Sequence, residues 1–205
     1  MGLVIGGVSA RDLVMDGHSV SLYVGGSPPV KVWPASPASE VVQITLGTGY
    51  QARNQFRAAL LDRGLAYQTV QELPFEIELV GTGVAWSMFY GCSSLTHVPA
   101  LDTSSVTDMT YMFRECTSLT SVPAMNTSQV TSMNSMFWDC ASLTMVPDMD
   151  TSNVTSVAFM FYGCASLTDG NVRLIGRHPN VSTTAMLTGS GLTREPFYDT
   201  DGNPI

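Results

Sequence analysis

The sequence predicts a repeat solenoid, and three observations carry that expectation. Cys92, Cys116, Cys140 and Cys164 recur at a strict step of 24 residues. Met88, Met112, Met136 and Met160 keep the same step, each followed by a phenylalanine: Phe89, Phe113, Phe137 and Phe161. Leu95, Leu119, Leu143 and Leu167 follow in phase. A period of this length with fixed apolar positions marks stacked repeats. One rung cannot hide its apolar side alone, so it stands only when neighbours share its core.

Within a rung, Leu-Thr-x-Val-Pro reads as a strand. Its β-branched residues favour extension, and Pro99, Pro123 and Pro147 end it. Such strands would stack in parallel about 4.8 Å apart as a narrow sheet. Asp-Thr-Ser then supplies turn and cap chemistry. Residues 109–116 carry apolar side chains at helical spacing, which predicts a short helix or 3₁₀ turn. The expected core of one rung is Val106, Met109, Met112, Phe113, Cys116, Leu119, Val122 and Met125. The fold class is thus a solenoid of leucine-rich-repeat type with 24-residue rungs, parallel β strands and short helices or 3₁₀ turns.

The run MF-x-x-C-x-SLT-x-VP, followed by DTS-x-VT-x-M, resembles the BspA-like leucine-rich repeats of bacterial and phage surface proteins. The resemblance covers residues 84–168. It implies a right-handed solenoid used for surface display and adhesion, and no enzyme.

The flanks differ in character. Residues 169–205 read as a degenerate capping rung and tail. Met186-Leu187-Thr188-Gly189-Ser190 mirrors Met160-Phe161-Tyr162-Gly163-Cys164, with serine for cysteine, and EPFYDTDGNPI would lie over the end. Residues 36–83 would cap the other end in α+β fashion. SEVVQITLG (39–47) and PFEIELV (74–80) read as strands. Residues 49–67 read as an amphipathic helix with Phe56, Leu60 and Leu61 on one face and Gly64 as its stop. Residues 1–35 read as a small β segment: LVIGGV, HSVSLYVGG and VKVWP are strand-like, GGSPP is a turn, and PASPAS is a linker. HSVSLYVGG…VKVWP resembles the amino-terminal segments of minor tail proteins of phages that infect actinobacteria.

Composition narrows the function. The chain has 205 residues, 44% of them hydrophobic and only 13% charged, with a net charge of −8. Nucleic-acid binding needs a basic footprint, and Lys31 is the sole lysine. Anionic membrane surfaces are disfavoured for the same reason. No stretch reaches the roughly 20 apolar residues of a membrane span, and MGLVIGGVSARDLVMDG lacks a secretion signal's basic start. A virion component made in the host cytoplasm and released by lysis fits that pattern.

No zinc pairing is visible in the cysteine spacing, and stacked parallel side chains are poorly placed for disulfides, so buried reduced thiols are expected. Asp102, Asn126 and Asp150 form a column that could suggest calcium, but a neutral middle member favours turn capping. The methionines sit at core phase and read as gap fillers. His18, His97 and His178 fall in different regions, and no nucleophile elbow, phosphate loop or paired-carboxylate motif appears, so no catalytic residue, metal or cofactor is expected. The binding candidates are the residues after each Met-Phe pair: Tyr90, Arg114, Trp138 and Tyr162. They share one phase and should form an exposed ridge, either stacked on itself or suited to sugar faces or a protein. The expected function is a non-enzymatic virion structural protein, a minor tail protein for tail-tip assembly or host-surface recognition. The alternatives are a bacterial adhesin or glycan-binding module, and then a glycan depolymerase. Expected partners are other tail proteins through residues 1–35, a host-envelope protein or glycan, and further copies of the chain.

Overall fold

The computed structural model describes residues 13–15, 20–22, 30–32 and 40–205. The chain divides into two compact units, Met1–Glu40 and Val41–Ile205. In the first, β1 (Leu13–Met15), β2 (Val20–Leu22) and β3 (Val30–Val32) form an antiparallel meander, with Val20 opposite both Met15 and Val32. The strand expected at LVIGGV, the GGSPP turn and the PASPAS linker lie outside the described residues.

The second unit begins with a β-α-β element. β4 (Val41–Thr45) and β5 (Glu76–Val80) pair in parallel, joined through α1 (Gln51–Leu61). Ala52, Phe56, Ala59 and Leu60 are its buried face. Leu61, expected on that face, is 74% exposed, because one further residue rotates it about 100° away from Leu60. The glycine stop is observed: Gly64 has φ 68°, Leu65 N–H donates to Leu60 O and Gly64 N–H to Leu61 O, a Schellman closure. Phe56 meets Phe89 edge-on at 4.8 Å, so α1 covers the first rung.

From Ala85 onward, successive 24-residue rungs lie over one another. Phe89, Phe113, Phe137 and Phe161 pile face to face, with centroids 5.2, 5.5 and 5.8 Å apart and interplanar angles of 4°, 5° and 4°. All eight expected core residues from Val106 to Met125 are buried.

The local structure differs from expectation in two places. Residues 109–116 are not a helix but a chain of tight turns. Met112, Arg114 and Cys116 each donate an amide three residues back, to Met109, Tyr111 and Phe113. The alternate amides, of Met109, Tyr111, Phe113 and Glu115, instead reach the next rung, at Ser132, Asn134, Met136 and Trp138. An α-helix keeps its amides along its own axis. Here half of them hold the neighbouring rung, and positive-φ residues such as Tyr111 (59°) and Glu115 (60°) break every turn. The second difference is the strand. Leu-Thr-x-Val-Pro contributes only the isolated parallel bridge Ser121↔Met145, because each proline lacks the amide a longer ladder needs. The parallel pairing lies instead along β6 (Gly83–Val84), β7 (Val106–Asp108) and the bridges Asp108↔Ser132↔Ser156↔Ser182.

The Asp-Thr-Ser turn also fastens rungs. Thr103, Thr127 and Thr151 are buried, and their hydroxyls donate to Asn126 O (2.9 Å), Asp150 O (2.9 Å) and Gly176 O respectively. At the far end, Ser182 pairs with Ser156 two residues beyond the regular step, and Met186 fills the methionine position. β8 (Met149–Asp150), β9 (Leu174–Ile175) and β10 (Phe197–Tyr198) form a parallel sheet, on which the tail folds back through Tyr198↔Pro204.

The file of rings is the test of this packing. Phe137→Ala removes a fully buried ring with a neighbour on each face and is expected to cost about 3–5 kcal/mol, read from the midpoint of urea unfolding. A cost under about 1 kcal/mol would mean that the stack does not depend on that ring.

Candidate functional site

The strip predicted from the repeat is built by the turn chain. Each rung has two left-handed positions four residues apart: Ser87, Tyr111, Ser135, Phe159 and Ala185 at one, and Gly91, Glu115, Asp139, Gly163 and Gly189 at the other. The residue before the second position is held by its carbonyl. Gly91 N–H donates to Arg114 O (2.9 Å), Glu115 N–H to Trp138 O (2.7 Å) and Asp139 N–H to Tyr162 O (2.8 Å). Tyr90, Arg114, Trp138 and Tyr162 therefore share one register.

The side chains interleave. The Arg53 guanidinium lies 5.0 Å from the Tyr90 centroid, and Arg114 lies 5.7 Å from Tyr90 and 4.5 Å from Trp138. Trp138 then packs on Tyr162 at 4.8 Å and on Phe159 at 5.1 Å. All four predicted residues are half-buried rather than exposed. The cause is mutual cover: Trp138 packs against Arg114, Phe159 and Tyr162, and Tyr90 lies beside two guanidiniums.

Sequence reasoning missed several contributors. Tyr111 sits 5.5 Å from Arg114, and Phe159 packs on Trp138 and Tyr162. A signal was available, since the phase that holds Ser87 and Ser135 holds Tyr111 and Phe159 in alternate rungs. Both have positive φ, 59° and 57°, which costs a bulky residue about 1–3 kcal/mol and is tolerated where the ring has a task. Two carboxylates complete the strip. Glu115 Oε1 accepts the Tyr90 hydroxyl at 3.3 Å and stands 3.3 Å from Arg114 Nε, and Asp139 Oδ2 accepts Trp138 Nε1–H at 3.0 Å.

The other constellations have structural roles. The four thiols are unpaired and buried, and Cys116, Cys140 and Cys164 donate Sγ–H to the carbonyls of Phe89, Phe113 and Phe137 at 3.1, 3.0 and 3.0 Å. Burial pushes the thiols of Cys92 and Cys164 up to about 12, and those of Cys116 and Cys140 up as well. Asp102, Asn126 and Asp150 accept the amides of Ser104, Ser128 and Ser152 at 3.0, 3.1 and 2.9 Å, so each caps its own turn. The side-chain and backbone bonds from Ser104 hold the Asp102 carboxyl below its ordinary range. His97 lines a shallow cleft of about 240 Å³ with Glu72, Leu73, Val98 and Pro99. His178 accepts the Asn180 amide at 3.2 Å, away from that cleft, and His18 lies outside the described residues. Among the described residues no group of His, Cys, Asp and Glu is placed to hold a metal ion.

The family model described as "Mycoplasma protein of unknown function, DUF285" matches residues 85–188, half of the chain, which takes in the strip from Tyr90 to Tyr162. No curated protein and no solved structure matches.

The thiols give a pH prediction. A thiol raised from 9.0 to about 12 by folding is protonated in the native chain, so its contribution to stability is full below pH 9.0 and is lost as pH rises towards 12. Alkaline unfolding monitored by circular dichroism should begin in that window. A cysteine-specific chromogenic reagent near pH ~8 should label the chain only after denaturant is added. Rapid labelling of the native chain would contradict the buried column.

Proposed function

The chain belongs to the family described as Mycoplasma protein of unknown function, DUF285, and from that premise we propose that it is a non-enzymatic recognition protein, a leucine-rich-repeat solenoid displayed on the surface of a particle. The observation that carries this reading is the strip of Tyr90, Arg114, Trp138 and Tyr162, extended by Tyr111 and Phe159. Tyr, Trp and Arg are the residues that dominate protein hot spots. The partner is a protein rather than a flat sugar, because the Trp138 ring is already covered by Arg114 and Phe159. A depolymerase is a poorer reading, since the strip carboxylates Glu115 and Asp139 each accept a neighbouring side chain.

The particle, in this proposal, is a phage tail. The resemblance of HSVSLYVGG…VKVWP to minor tail proteins supports it. Residues 1–35 would bind other tail proteins or further copies of the chain, leaving the repeats to meet the host envelope or the tail tip. The second reading is a bacterial surface adhesin, favoured by the likeness of the repeats to BspA-like proteins.

Two measurements separate these outcomes. Fluorescently labelled full chain should bind cells of an actinobacterial host saturably, and Trp138→Ala should weaken binding by about tenfold or more with its circular dichroism unchanged. Binding that ignores the substitution would remove the strip from the proposal. Flanking genes for tail assembly would support the virion setting, whereas a neighbouring sortase gene would move the protein to a cell surface.

A further inference from the structure

This inference rests on the strip as the recognition surface and adds the chemistry of what it recognises. We propose that Arg114 is a preset fork for one carboxylate of a protein partner, an Asp or Glu side chain presented among apolar residues. Three rings surround its guanidinium, with centroids at 4.5 Å (Trp138), 5.5 Å (Tyr111) and 5.7 Å (Tyr90). Nε is buried without a hydrogen-bond partner, and Glu115 Oε1 stands 3.3 Å from it as an ion-pair neighbour. Among the described residues neither Nη atom takes part in a hydrogen bond, and 29% of the side chain stays exposed. The free edge is therefore the pair of Nη groups, which matches a carboxylate bidentately.

The geometry also explains why this arginine is suited to the task. A free arginine loses much rotamer freedom on binding, and one already held between rings has lost it in advance. Tyr111 helps to hold it from a left-handed backbone position, φ 59°, where two other rungs carry serine. Charge limits the ligand. Glu115 stands 3.3 Å from the guanidinium, Asp139 is bonded to the neighbouring Trp138, and the chain carries −8, so a polyanion meets repulsion at every further charge. One carboxylate with neutral neighbours meets the least of it, and those neighbours would rest on the edges of Trp138, Phe159 and Tyr162.

The probe is a displayed library of random peptides, each about a dozen residues long, panned on the immobilised full chain. Enriched peptides should share one Asp or Glu beside an aromatic or aliphatic residue. Arg114→Gln should weaken the best of them by about tenfold or more, and Arg114→Lys, which keeps a cation among the rings but loses the fork, by a similar factor. Replacing the peptide carboxylate by its amide should have the same effect, and the two changes together should cost no more than either alone. Unchanged melting of Arg114→Lys shows that the fold is intact. Peptides that need Tyr162 but ignore Arg114→Gln would overturn the carboxylate fork and leave the strip standing. Arg114-dependent binding of polyphosphate or a sulfated glycan tighter than of any peptide would overturn the assignment to a protein. A library that yields no strip-dependent peptide would sink both readings.

Discussion

Every other amide of the turn chain leaves its own rung. That single constraint shapes the rest of the molecule. The amides of Met109, Tyr111, Phe113 and Glu115 are satisfied by the following rung, as are those of Met133, Ser135, Phe137 and Asp139. A buried amide without a partner is costly, so a rung without its neighbour would be a rung of orphaned donors. The phenylalanine file follows from the same spacing. Backbones joined by hydrogen bonds set the interval, and planar rings fill it face to face.

The same constraint places the aromatic strip. For alternate amides to point outward, the backbone must turn left-handed twice per rung. Glycine fills that position at Gly91, Gly163 and Gly189, while Glu115 and Asp139 accept the strain. Those two then stand beside Arg114 and Trp138 and engage them. The strained positions and the candidate binding residues are thus consequences of one backbone path. Tyr111 and Phe159 belong to the same account, since their rings close around residues that the path has already aligned.

Inside the stack, small polar groups do work that apolar ones could not. Thr103, Thr127 and Thr151 satisfy carbonyls of the next rung from buried positions. Each cysteine from Cys116 onward offers its thiol to a phenylalanine carbonyl of the preceding rung. Each of those carbonyls also accepts a cysteine amide of its own rung, so the thiol adds a second donor that alanine would lack. The two ends are closed differently. Phe56 of α1 covers the first ring, and the tail folds back on β10. Each closure occupies groups that another rung would otherwise take.

The amino-acid sequence by itself determined the step of 24, the side chains that each rung buries, the unpaired thiols, the cap helix and its stop at Gly64. These are matters of apolar identity at fixed intervals and of one residue's backbone freedom, and both are local. It also marked Tyr90, Arg114, Trp138 and Tyr162 as one register, because phase alone places them. Only the tertiary structure decided that residues 109–116 are turns, that β4 and β5 run parallel, and that the strip is half-buried. Apolar spacing reports which side chains face inward but not where the amides point. An amide's partner in the next rung, or a ring's neighbour across it, exists only once the rungs are stacked.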